Sequence, residues 1–186
     1  MVLDHLKSWD VALGKTGLDR TEPESTWKLQ EDTMVRLLNF SMPVRPVILH
    51  MRDGVDEHAG EVSANCLQIL KANAAPTQKI HLHYFGGTVE QVVGWLDAFP
   101  NCYFGFSGRI MSFDKYQIAA LQQVPLNRLL LETDAPYFRP AAAKASTPAF
   151  LGDIGEAVSQ YRGMTLRALM QLTTGNGKNL YSLLAP

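Results

Sequence analysis

Three side chains far apart in the chain have the types that a metal-assisted hydrolysis needs: His50, His83 and Asp134. His50 closes the apolar run PVILH (46–50) and is followed by Met51, Arg52 and Asp53. His83 ends the strand-like part of IHLHYFGG (80–87), and Asp134 follows the apolar run in LLLETDAPYF (129–138). Imidazole and carboxylate together suit Zn, Mn, Fe or Ni, and Mg less readily. Three protein ligands also leave coordination positions for water and substrate, as catalytic sites do. A carboxylate beside such an ion can take a proton from the attacking water. Arg52 offers a forked guanidinium for phosphate charge, and Arg109 offers a second.

Each of these residues has a plain structural alternative. His50 could be a hydrogen-bonded histidine at a strand end. A strand points i and i+2 to one face, so His81 and His83 could both pack in a barrel interior. His83 is preferred as the functional one, because the last residue of a strand reaches the mouth. An Asp before a proline is often a turn or cap acid, and Glu132 could be a supporting partner or a buried paired acid. Cys66 and Cys102 fall in apolar patterns and read as core. There is no GxGxxG after the first strand, no P-loop and no GxSxG.

The elements that must position these groups alternate. Strand-like runs are expected at Asp10–Gly14, Arg45–His50, Gln78–His83, Asn101–Phe106 and Arg128–Glu132. Several are apolar throughout, as in parallel sheets covered on both faces. Helical patterns lie between and after them, at Glu24–Asn39, Glu61–Lys71, Thr88–Phe99, Asp114–Gln123, Pro148–Tyr161 and Thr165–Thr174. Thr88 is expected to cap the third of these helices. The tail from Thr173 to Tyr181 reads as a helix closing the domain, and Arg139–Pro148 reads as a long loop. Alternation of this kind indicates an α/β fold with a parallel sheet. Polar residues at the carboxyl ends of several strands fit a TIM-type (β/α)8 barrel, although five strands are visible where a closed barrel has eight.

Composition sets the outer bounds. A length of 186 residues predicts a single domain over 1–186. Apolar residues at 46% and charged residues at 19% exclude a disordered chain. No apolar run is long enough to span a bilayer, so no membrane partner is expected. The start MVLDHLKSWD is not a secretory signal, and two cysteines give no disulfide framework. The expected location is therefore intracellular, cytoplasmic or nuclear. A net charge of -1 removes the broad electrostatic case for nucleic acid, so any such role must rest on a local site.

The segments VALGKTGLDR (11–20), PVILHMRD (46–53), HYFGGT (83–88), FGFSG (104–108), PLNRLLLETDAPY (125–137) and TTGNGKNLYSL (173–183) occur in one order along the chain. Together they resemble the TatD-like metal-dependent deoxyribonucleases, a family of amidohydrolase-type barrels. The resemblance implies a (β/α)8 barrel holding one or two divalent ions (Mg, Mn or Zn) and hydrolysing phosphodiesters, DNA above all. By position it implies His50, His83 and Asp134 as metal ligands, and it gives His81 no ligand role. From their own chemistry, Asp134 and Arg52 are the expected catalytic residues. Two departures stand out. The family's opening His-x-His pair has no counterpart in Met1–Trp9, where His5 stands alone. The expectation is a partial barrel holding the fourth to eighth strands, which lacks the first ones. The family's bridging glutamate falls at Lys15, a cation with no lone pair to give. With these departures a two-metal clamp is not expected from this chain alone, and a single metal held by His50, His83 and Asp134 remains open to it. The alternative is a catalytically inactive or truncated relative acting as a binding module. Open barrel edges also predict self-association.

Overall fold

The computed structural model describes residues 12–54, 58–138 and 144–183. The order of elements is β1 (Leu13–Asp19), α1 (Trp27–Leu38), β2 (Val47–Arg52), α2 (Gly60–Asn73), β3 (Ile80–His83), α3 (Val89–Ala98), β4 (Cys102–Phe106), α4 (Lys115–Gln123), β5 (Leu129–Leu131), α5 (Leu151–Arg162) and α6 (Leu166–Tyr181). The five strands form one parallel sheet in the order β1-β2-β3-β4-β5. Sequential parallel neighbours joined through helices are the repeating unit of a (β/α)8 barrel. The sheet curls: Lys15 on the first strand comes within 3.6 Å of Asp134, just after the last. The α/β fold with a parallel sheet is the one that the alternation of elements predicted, and its form is that of a partial barrel, as the family resemblance implied.

Burial explains the two faces. Leu18, Leu49, Leu82 and Phe104 point outward and are completely buried under helical residues such as Met34, Leu70, Trp95 and Leu121. Cys66 and Cys102 are buried in this same core, and burial pushes the Cys66 thiol up to about 12. The inner face carries a second, smaller cluster of Tyr103, Leu130 and Leu180, with Tyr181 packed against it. Leu180 and Tyr181 belong to the last turn of α6, so this helix starts on the outer core at Leu169 and ends against the inner face.

Three sequence expectations are corrected. The first strand is Leu13–Asp19, not Asp10–Gly14, so Lys15 lies inside the strand rather than after it. Its glycines resemble turn signals but serve close approach: at Gly17, with φ 150°, an added Cβ would lie 1.8 Å from the His50 carbonyl oxygen. Thr88 takes the N-cap position of α3, yet its side chain caps no backbone N–H. The final helix runs unbroken from Leu166 to Tyr181, because neither Gly175 nor Gly177 interrupts it. Asp10 and Val11, the Met1–Trp9 start with His5, and residues 139–143 of the long loop lie outside the described residues.

Candidate active site

The carboxyl ends of the strands open into one cavity of about 1180 Å³, and Lys15, His50, Arg52, His83, Tyr84, Arg109 and Asp134 all line it. Strand register sets the imidazoles side by side. β2 and β3 pair so that His50 is level with His83, and their ring centroids are 6.3 Å apart. Asp134 is carried over from the far strand by the turn after β5, with φ 49° at its own position.

His83 is held from both sides. Its Nδ1 is 2.7 Å from Glu132 Oε2, and its Nε2 is 3.0 Å from Asp134 Oδ1. The Tyr84 backbone N–H donates to the other Glu132 oxygen. Burial alone would push the Glu132 carboxyl up. Hydrogen bonds from His81 and His83, with their charge, instead hold it down at about 2. Glu132 thus remains a carboxylate that fixes the imidazole. This close layer depends on Gly105, where an added Cβ would lie 2.6 Å from His81 Nε2 and 2.8 Å from the Glu132 carboxyl.

His50 is held more loosely. Its Nε2 is 3.6 Å from Asp19 Oδ2, and its Nδ1 is buried with no hydrogen-bond partner. Burial, then the charge of Lys15, lowers its pKa, so the ring is neutral near pH 7 and keeps a lone pair. The Lys15 ammonium faces Asp134 Oδ1 at 3.6 Å. Arg52 stands at the rim with its side chain 60% exposed, 4.0 Å from Asp19 Oδ2.

These donors fit a divalent ion in kind. Two imidazoles and a carboxylate face one cavity, and a carboxylate seats the far nitrogen of His83, as is usual for metal-ligating histidines. The buried, unpartnered Nδ1 of His50 agrees with a ring whose partner is not another side chain. The set is not closed, however. Among the described residues no group of three His, Cys, Asp or Glu side chains is gathered tightly enough to hold a metal. His83 and Asp134 contact each other, and His50 stands beside them.

The structure brings His50, His83, Asp134, Arg52 and Arg109 to the same cavity and leaves His81 out of it. His81 lies one layer deeper, with Nδ1 2.7 Å from the Tyr181 hydroxyl and Nε2 3.4 Å from Glu132. Sequence reasoning overlooked an aromatic wall. Tyr84, at φ 58°, stacks on Phe138 with centroids 4.6 Å apart, and Arg109 Nη1 donates to the Tyr84 hydroxyl at 3.2 Å. Tyr137 beside it is 68% exposed. Both aromatic residues sit in the segments HYFGG and DAPYF, but nothing local says that they meet.

A parallel α/β sheet with imidazoles and carboxylates at its carboxyl mouth defines a class of protein by its fold, the TIM-type barrels. The chain belongs within that class to the TatD related DNase family, whose model matches residues 2–182. It is 32% identical over 177 residues to the metal-dependent hydrolase YcfH of Escherichia coli, covering 93% of this chain and 63% of that relative. It is 30% identical over 182 residues to the 3'-5' ssDNA/RNA exonuclease TatD of Edwardsiella piscicida, covering 93% and 66%. The crystal structure of YJJV, a TatD homologue from Escherichia coli, superposes with a TM-score of 0.77 at 21% identity, covering 98% of this chain and 68% of that one. The chain thus spans under two thirds of the YcfH length. No described helix is long and apolar enough to cross a membrane.

Proposed function

We propose that the protein is a metal-dependent phosphodiesterase that cuts nucleic acid, with His50, His83 and Asp134 as the ligands of one divalent ion (Mg, Mn or Zn). The observation that carries this reading is the contact of His83 Nε2 with Asp134 Oδ1 at 3.0 Å, in a histidine whose other nitrogen is fixed by Glu132. The name of the Edwardsiella relative supports nucleic acid as the substrate class. When bound, such an ion supplies Lewis acidity, polarising a phosphoryl oxygen and making water a better nucleophile.

The chain's own residues do the rest. Asp134 orients the attacking water and takes its proton. Arg52, exposed at the rim, meets a phosphate oxygen with its forked donors. The Tyr84–Phe138 stack, with Arg109 at its edge, gives an unpaired base a flat apolar wall. An intracellular location goes with this substrate. The two sheet edges, β1 and β5, each have one strand neighbour among the described residues, and we assign self-association to them.

The test is release of nucleotides from labelled DNA and RNA oligonucleotides with added Mn²⁺ or Mg²⁺. Asp134→Ala is expected to cut the rate by about 10²–10⁴-fold, the usual worth of a positioned acid–base group. Unchanged activity in that variant would remove Asp134 from the mechanism.

A further inference from the structure

The last turn of α6 reaches the cavity through two buried groups. The Tyr181 hydroxyl is 2.7 Å from His81 Nδ1, and His81 Nε2 stands 3.4 Å from Glu132 Oε2. That same oxygen meets His83 Nδ1 at 2.7 Å, and His83 Nε2 carries the contact on to Asp134. Gly105 leaves room for the close layer, since a Cβ there would crowd both His81 Nε2 and the Glu132 carboxyl. Tyr181 does not line the cavity. The helix end does not need its hydroxyl to stay docked either. Leu180 is completely buried, and the Lys79 ammonium bonds the Asn179 and Leu180 carbonyl oxygens and the Ser182 hydroxyl.

We propose that Tyr181 is a positioning residue for His83: its hydroxyl donates to His81 Nδ1, the Nε2–H of that ring is thereby aimed at Glu132, and Glu132 holds His83 at the cavity. His81 Nε2 is buried, has no hydrogen-bond partner, and has a carboxylate beside it. A lone pair there would be repelled by that charge, so the proton belongs on Nε2. In a neutral imidazole the other nitrogen is then an acceptor, and Tyr181 is the donor it meets. Burial, with the charge of Glu132, pushes the Tyr181 hydroxyl up to about 12, so it keeps the proton it donates. Without that hydroxyl, Nδ1 is a buried acceptor with no donor, and nothing holds the ring plane. Nε2 then turns from Glu132, and the carboxylate is free to shift on His83. The effect on turnover rests on the phosphodiesterase reading, and the state of the two rings does not.

Ring spectra and kinetics of the whole chain test it. Long-range 1H–15N spectra of histidine-labelled, metal-free protein at about pH 8 report which ring nitrogen carries the proton, with His81→Gln and His83→Gln assigning the signals. The wild type is expected to carry the His81 proton on Nε2 and a slowly exchanging His83 proton on Nδ1. In Tyr181→Phe the His81 Nδ1 signal should move to that of a nitrogen without a donor. The His83 Nδ1 proton should exchange about 3–10-fold faster, the worth of one net hydrogen bond. Nucleotide release with Mn²⁺ should show kcat lower by a similar factor and KM unchanged, since Tyr181 stands outside the cavity. A proton on His81 Nδ1 in the wild type, an unmoved His83 signal in the variant, or a raised KM with kcat unchanged overturns the proposal. If circular dichroism shows that Tyr181→Phe does not fold, the two wild-type proton positions decide it. A wild type that does not cut DNA or RNA overturns the hydrolase reading, and the ring spectra still decide Tyr181. One that cuts, with His83 unmoved in Tyr181→Phe, overturns only Tyr181.

Discussion

Glu132 connects the deep inner layer to the cavity. It receives His83 and the Tyr84 N–H on one level and stands 3.4 Å from His81 on the next. Its partners hold its carboxyl at about 2, so the acid stays charged through the range in which the site would work. Removing that charge frees the His83 ring and its tautomer. Glu132→Gln is expected to weaken Mn²⁺ affinity by about 10–100-fold, the usual cost of losing such a supporting carboxylate. Titration calorimetry of the variant checks this, and an unchanged affinity would make Glu132 a purely structural acid. At this scale the sequence was readable near the carboxyl ends of strands: His83 ends β3, as expected, and His50 stands inside β2, which runs on to Arg52. It was silent where two loops meet, as in the Tyr84–Phe138 stack, because that contact depends on how the turn after β5 folds back.

Helix α4 shows the element scale at its clearest. Asp114 accepts from the backbone N–H groups of Tyr116 and Gln117, and the Gln117 side chain returns the bond to the Asp114 N–H. This capping box satisfies donors that a helix start leaves open. Asp114 Oδ2 also meets His58 Nε2 at 2.8 Å, tying the cap to the approach to α2. The Gln117 N–H, offset in part by burial and aided by His58, holds the Asp114 carboxyl below its ordinary 3.8. A depressed acid stabilises the fold above its unfolded pKa, and the benefit is lost as pH falls through the lower folded value. Asp114→Ala should therefore unfold at a lower temperature than the wild type at neutral pH, with the gap closing below pH 3.8. Thermal melts at several pH values test this, and a gap independent of pH would contradict it. The helix itself was legible at Asp114–Gln123, whereas its capping box shows only in the fold. The strand β1 was expected to end at Gly14 instead of Asp19 because Gly14-Lys15-Thr16-Gly17 reads locally as a turn. Only the neighbouring β2 backbone, which Gly17 lets come close, makes it a strand.

At the scale of the whole set of described residues, the inner face of the five-stranded sheet would expose Tyr103 and Leu130 if nothing covered it. The end of α6 covers them. Leu180 is completely buried in that small cluster, Tyr181 reaches His81, and Lys79 bonds the Asn179 and Leu180 carbonyl oxygens at 2.8 and 3.1 Å. Leu180→Ala is expected to cost about 2–5 kcal/mol, as for other large-to-small core changes. Urea unfolding measures it, and a loss under ~0.5 kcal/mol would mean that α6 does not support the inner face. The alternation of strands and helices made the outer core legible. This inner cover was not, because α6 packs on opposite faces of the sheet at its two ends, and a single amphipathic stripe does not record that.

The central claim is that two imidazoles from β2 and β3 and a carboxylate from the turn after β5 serve one ion. Crystals of the chain soaked in MnCl₂ and measured at the manganese absorption edge test it most directly. The account predicts one anomalous peak, within bonding distance of His50, His83 and Asp134. A peak bound elsewhere, or none at a concentration that supports nucleotide release, would contradict it.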